Sequence, residues 1–378
     1  MESKKPQFET LAIKSTEGHF DSANPAIMPI HLATTFIRNE DGSYNHGLQY
    51  GRANNPNREV LEKSLAQLEG GTKAFAFASG MAAISAVLQC LEPGKEVIMP
   101  NDVYFGAKKL VEEVYQRWGL KIVCVDMNEV ENVRMAIGPN TAMIWIETPS
   151  NPLINVTDVN ALTQLAKSNG ILTAVDNTWP TPVLTRPIEL GADIVIHSTT
   201  KYFGGHSDVI GGCVIVKKES SFSERLANVQ HLGGGVPSPF DCWLVARGIR
   251  TLSLRVRAQS STALKLAQYL DSHGGIQKVL YPGLPSHPGF EIAKRQMEGG
   301  FGGMLSVLVN GDSKKTLEIC NRLQYFTQAT SLGGVESLVE HRRSVEGPMS
   351  NAPDNLLRIS IGLEHSDDLI SDWKQALG

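Results

Sequence analysis

The stretch Asp193-Ile194-Val195-Ile196-His197-Ser198-Thr199-Thr200-Lys201-Tyr202 reads as a short buried strand, residues 193–197, running into a hydroxyl-rich turn that carries a lysine. Working back along the chain, a similar run at 171–176 ends in Asp176, 25 positions before Lys201. Further runs rich in apolar and β-branched residues stand at 74–78, 97–99, 121–126, 142–147 and 213–217, which makes about seven strands. Helical stretches such as 81–91, 108–118 and 159–169 separate most of them. Strand and helix in alternation describe an α/β fold, a mainly parallel sheet sandwiched by helices. In such sheets ligands bind outside the carboxyl ends of the strands, so Asp176 and Lys201 are expected on one functional edge.

Beyond that region the pattern changes. A long helical pattern at 252–272 leads to strand-like 304–309, helical 313–323, strand-like 356–361 and helical 367–377, read as a smaller α/β C-terminal domain. At 378 residues the chain exceeds the usual reach of one hydrophobic core. The expected division is an N-terminal arm at 1–55, a large domain at 56–250 and the C-terminal domain at 251–378. The arm has little periodicity and several turn formers, so it is expected to pack on another surface, such as a second subunit.

Composition excludes several function classes. With 42% hydrophobic residues, 20% charged residues and a net charge of -4, there is no electrostatic case for nucleic acid or an anionic membrane. No long apolar run suggests a membrane span, and Met1 to Gln7 has no apolar segment behind it, so a cytoplasmic protein acting on a small substrate is expected. The five cysteines are scattered without a C-x-x-C pair and are read as reduced, mostly buried thiols. The ten histidines show no metal-ligand spacing, and no metal is expected.

Alone, Lys201 has the ordinary reading of a solvated charge and Asp176 that of a turn cap. Together they suit pyridoxal 5'-phosphate (PLP): the amine holds the aldehyde as a Schiff base, and a buried carboxylate keeps the pyridine nitrogen protonated so that the ring accepts carbanion electrons. Ser79-Gly80-Met81 turns a strand into a helix, presenting backbone N–H groups and the positive helix end to a phosphate. Ser198 and Thr200 can add hydroxyl donors, although a polar turn is the plainer reading. Tyr104, after another strand end, can stack on the pyridine ring, against the alternative of a core tyrosine.

These residues belong to a longer series: Tyr50-Gly51-Arg52 with Asn55-Pro56, Ser79-Gly80-Met81, Tyr104, Glu147-Thr148-Pro149-Ser150-Asn151-Pro152, Asp176-Asn177-Thr178, Ser198-Thr199-Thr200-Lys201, Gly205-His206-Ser207-Asp208 and Ser331-Leu332-Gly333-Gly334. In this order they resemble the Cys/Met-metabolism PLP enzymes of the transsulfuration group, which includes cystathionine γ-synthase, the cystathionine lyases and methionine γ-lyase. The resemblance spans nearly the whole chain and implies a fold-type I PLP-dependent transferase. It implies that Tyr50 and Arg52 reach the cofactor phosphate from a neighbouring subunit, giving an active dimer assembled as a homotetramer. Gly80 and Met81, with Ser79, Ser198 and Thr200, would hold the phosphate. Asn151 would bond the ring's phenolic oxygen and Asp176 the ring nitrogen. Ser331 and Arg358, with Tyr50 and Asn151, would bind substrate; an arginine fork suits a planar carboxylate. Lys201 and Tyr104 would be the catalytic pair.

Four features bear on which reaction follows. Thr330 stands where γ-synthases and γ-lyases resemble one another in having a glutamate, which would contact a distal substrate ammonium. Gly106 occupies the place of the reactive cysteine of methionine γ-lyases, and Trp179 looks like some bacterial cystathionine β-lyases. The segment 341–348, from His341 to Pro348, replaces a His-Pro-x-x-Met-Thr-His segment at the substrate entrance. Its arginines are read as solvated, with selection of an acidic co-substrate as the alternative. The expectation is γ-replacement or γ-elimination on sulfur amino acids or activated homoserine, with a β-lyase or related C–S lyase as the alternative. A catalytically silent PLP-binding regulator is the reading from another class.

Overall fold

A computed structural model describes residues 6–17, 25–347 and 352–378. Seven strands form one sheet: β1 (Lys73–Phe77), β2 (Glu96–Pro100), β3 (Lys121–Val125), β4 (Thr141–Glu147), β5 (Leu172–Asp176), β6 (Ile194–His197) and β7 (Gly212–Val216). Their order is β1-β7-β6-β5-β4-β2-β3, and β7 alone runs against its neighbours. The expected mainly parallel seven-stranded sheet is present. Its middle strands are buried on both faces, with Met143 to Ile146 and Cys213 to Ile215 essentially inaccessible, as helices on both sides require.

The parallel register places functional side chains at one level. Glu147 pairs with Asp176 across β4 and β5, and Asp176 pairs with Ile196 on β6. Three strand ends therefore finish together. The helix Gly80–Gln89 begins one turn after β1, with Ser79 as its N-cap accepting from Ala82 N–H. The expected helix at 108–118 is divided into an α-helix, Phe105–Glu113, and a 3-10 turn, Tyr115–Trp118, ended by Gly119 in the left-handed region at φ 81°.

A second sheet has the order β10-β11-β12-β9-β8, built from β8 (Ile276–Leu280), β9 (Met304–Val309), β10 (Thr327–Gln328), β11 (Leu338–His341) and β12 (Leu356–Ser360). One face is covered by helices Leu252–Asp271 and Ser366–Leu377, through Ala263, Leu266, Leu270, Leu369 and Trp373. β9 and β12 were expected; β8, β10 and β11 were not. β11 contains Glu340 and His341, so its polar content hides a strand that is buried throughout.

The arm is more ordered than its sequence implies. Helix Phe8–Lys14 packs on this chain's own helices Pro56–Glu69 and Leu252–Asp271. Ala12 is buried, Ser15 bonds Ser64 at 2.7 Å, and Glu9 accepts from Ser253 Oγ at 2.9 Å. For residues 8–16 the surface on which the arm packs includes this chain's own helices. The arm's residues 1–5 and 18–24, and Pro348 of the entrance segment, lie outside the described residues.

Candidate active site

A cavity of about 530 Å³ opens at the carboxyl ends of the large sheet. Its walls include Ser79, Gly80 and Met81 from the helix start and Tyr104 and Asn151 from the loops after β2 and β4. Asp176 lines it at the end of β5, and Ser198, Thr200 and Lys201 follow from the turn after β6. Ser331 and Arg358 arrive from the second sheet's side. Tyr50 and Arg52 do not join them: Tyr50 is about half exposed, Arg52 lies over its ring at 5.7 Å and donates to the His231 carbonyl.

The end of the cavity at the start of helix Gly80–Gln89 is shaped by close approach. A Cβ on Gly80 would stand 2.8 Å from Ser198 Cβ, so only glycine lets the helix start meet the β6 turn. The helix geometry leaves the Gly80 and Met81 N–H groups without intrahelical acceptors. Thr200 Oγ1 is held by the Gly211 backbone, accepting from its N–H at 3.0 Å and donating to its carbonyl at 3.1 Å. At Gly106 a Cβ would lie 2.6 Å from the Tyr104 ring, so the absence of a side chain there allows the ring its position.

Two buried carboxyls stand side by side beneath this cradle. Burial, and then the charge of Asp176, raise Glu147 well above the carboxylate range, and Glu147 accepts from Tyr104 N–H at 2.7 Å. Burial raises Asp176 as well, opposed by hydrogen bonds from Thr178 and by the charge of His197. His197 is itself fixed by Glu69 at 2.5 Å, a pair with almost no exposure, and Asn177 Nδ2 donates to the same Glu69 oxygen at 2.8 Å.

Lys201 Nζ donates to Ser331 Oγ at 2.8 Å. Burial first, and then the Arg358 charge, lower its pKa to about 8 against the pull of Glu340. Arg358 is 4% exposed, donates from Nη2 to the Ser331 carbonyl at 2.9 Å, and pairs with Glu340 at 2.5 Å. Its Nη1 reaches Asn151 Oδ1 at 3.4 Å. Glu340 in turn receives Arg342 Nη1 at 3.1 Å, and Arg342 Nε donates to Glu346 at 2.6 Å. Arg342 is buried and lines the cavity, so the expectation that it is solvated is wrong; Glu340 and Glu346 neutralise it in place. Arg343 remains about one-third exposed and pairs with Asp354.

Sequence reasoning passed over Glu340, Glu147 as a site residue, and the Glu69–His197 pair. For Glu340 a signal was available: it faces Arg358 across β11 and β12, opposite charges at paired positions of two short strands. The Glu69 pairing joins positions 128 apart and leaves no local trace.

The donor set fits PLP: a helix start and hydroxyls for the phosphate, an ionisable buried carboxylate for the ring nitrogen, and a lysine whose amine is readily neutral. Fold and site together define a fold-type I PLP-dependent enzyme. The chain belongs to the Cys/Met metabolism PLP-dependent enzyme family, which it matches over residues 9–378. It is 44% identical over 365 residues to cystathionine γ-synthase of Mycobacterium tuberculosis, covering 95% of this chain and 94% of the relative. It is 40% identical over 384 residues to cystathionine β-lyase of Coxiella burnetii, covering 99% of each. The crystal structure of cystathionine γ-lyase from Lactobacillus plantarum complexed with L-serine superposes with a TM-score of 0.93 at 38% identity, covering 98% of both chains. Membership in this enzyme family sets aside the silent regulator. Among the described residues no helix is long and apolar enough to cross a membrane, and no cluster of three or more His, Cys, Asp or Glu is placed to hold a metal.

Proposed function

We propose that this enzyme carries out γ-replacement or γ-elimination on an activated homoserine or sulfur amino acid, with Lys201 as both cofactor anchor and proton carrier. The observation that carries the reading is the placement of Lys201 Nζ on Ser331 Oγ, beside the Arg358 guanidinium. Bound PLP supplies electron withdrawal from the substrate carbons next to the amine. Gly80, Met81, Ser198 and Thr200 hold its phosphate, Asn151 its phenolic oxygen, and Asp176 the proton on its ring nitrogen. Arg358 and Ser331 fix the substrate α-carboxylate. That contact sets Cα within reach of the Lys201 amine, which takes the Cα proton and moves protons further along the chain. Tyr104, resting on Gly106, accepts a proton from the incoming amine or gives one to the leaving group. Trp179 on the cavity wall favours the second reading, β-elimination.

Tyr50 and Arg52, outside the cavity of their own chain, complete the phosphate site of a neighbouring subunit in this reading, which takes the active unit to be a dimer within a homotetramer in the cytoplasm. The division into an arm, a 56–250 domain and a 251–378 domain belongs to the same proposal. The test is product identification. Purified enzyme is given L-cystathionine, L-methionine, and O-acetyl- or O-succinylhomoserine with L-cysteine. Expected are 2-oxobutyrate from a thioether or cystathionine from an ester, both absent in Lys201→Ala. Pyruvate alone from cystathionine would transfer the assignment to β-elimination.

A further inference from the structure

The α-carboxylate reading uses Arg358 and leaves a second set of charges in the same cavity. After β11 the chain makes a single short helix, Arg342–Glu346, which sets Arg342 and Glu346 one turn apart. Their side chains are 8% and 9% exposed, and both line the cavity, together with Val345 and Thr330. An exposed i,i+4 pair would be an ordinary surface contact. This one is withdrawn from water and faces the space where substrate must lie.

Its charge balance restricts what it can bind. The chain of contacts Glu346–Arg342–Glu340–Arg358 holds two cations and two anions. Within these contacts the charges cancel, so they hold no surplus positive charge to favour an acidic co-substrate. A zwitterion, by contrast, inserts between Arg342 and Glu346 without changing the net charge, giving each desolvated group a new partner of the right sign. The Arg342 contacts engage Nε and Nη1, so Nη2 is unused by them. The Thr330 hydroxyl bears no charge, so a distal ammonium in this cavity takes its carboxylate from elsewhere.

We propose that Arg342 and Glu346 form a subsite for the distal amino-acid group of the second substrate or thioether product, Arg342 reading its carboxylate and Glu346 its ammonium. The assignment rests on the proposed reaction and narrows its partner to a thiol that is itself an α-amino acid. Neutral thiols and simple alkyl thioethers then lack half of the recognition.

The test separates the two claims. PLP-loaded Lys201→Ala protein, which binds substrate without turnover, is titrated by calorimetry with L-cystathionine and with S-propyl-L-homocysteine, whose distal group is uncharged. The expected preference for cystathionine is at least about tenfold, the scale of charge-assisted hydrogen bonds. Adding Glu346→Gln brings the ratio close to one, and adding Thr330→Glu to that variant restores it. Arg342→Gln removes the advantage of cystathionine over S-(2-aminoethyl)-L-homocysteine, which keeps the ammonium without the carboxylate. If the parent has no preference, or Glu346→Gln keeps it, the subsite is overturned even when wild-type enzyme forms the expected products. If wild-type enzyme forms none of those products, the reaction itself fails.

Discussion

Lys201 sits where a protonated amine is costly: largely buried, with Arg358 and Arg342 both repelling its charge. Its pKa falls from 10.5 to about 8 in the folded cofactor-free chain. Below about pH 8 the amine is charged whether the chain is folded or not, and the folded state carries the full penalty. Between about 8 and 10.5 the unfolded chain holds the proton that the folded chain has released, so stability from this group rises with pH. Lys201→Met removes the penalty. The cofactor-free variant is therefore expected to exceed wild type at pH 7 by up to roughly 3 kcal/mol, the gap closing as pH approaches 10. Urea unfolding at both pH values measures it, and a gap that stays constant contradicts the account. In the proposed reaction the same depressed pKa favours the neutral amine, the form that attacks an aldehyde.

At the scale of elements, the pair β11–β12 sets Arg358 on the cavity wall. Glu340 and Arg358 face each other in register, both almost wholly buried, and the register makes their ion pair part of the sheet. Deleting one partner leaves the other charge stranded. Glu340→Ala is expected to lower stability by about 3 kcal/mol or more, and Glu340→Gln by clearly less, because the amide still accepts hydrogen bonds. Denaturant titration of the PLP-loaded proteins reads this; equal losses would mean that β11 is held by packing alone. The large sheet was the more legible of the two. All seven of its strands were readable: the middle ones, buried on both faces, are continuous apolar runs, as in Met143-Ile144-Trp145-Ile146, and the half-buried edge strand β3 is still rich in β-branched residues. In β8 the exposed Gln277 and Lys278 interrupt the pattern, and in β11 Glu340 and His341 do so, although both are buried. A polar residue buried by a distant partner reads in sequence as a loop residue.

At the scale of the whole molecule, Tyr50 and Arg52 stand away from the cavity that their own chain builds. If each serves a neighbour's site, two inactive chains repair one another. Arg52→Ala and Lys201→Ala, each inactive alone, are expected to recover about a quarter of wild-type activity when unfolded and refolded together, since half the dimers are mixed and each has one intact site. No recovery, with mixed dimers verified by mass spectrometry, would place Arg52 and Lys201 in the same subunit's site.

The sequence by itself determined the α/β class, the edge of the sheet on which the cavity opens, and most of the residues that line it, because strand ends, glycines and a lysine after a strand are local features. Eleven of the thirteen expected site residues meet in one cavity. What only the tertiary structure decided is how charges are balanced there. Glu340 neutralises the buried Arg342 and Arg358, Glu69 holds His197 from 128 positions away, and Asp176 stands beside Glu147 across two strands and raises it. An arginine in a charged segment reads as solvated until the carboxylates that hold it are located, and burial and Coulomb partners depend on distance in space, not on spacing in sequence.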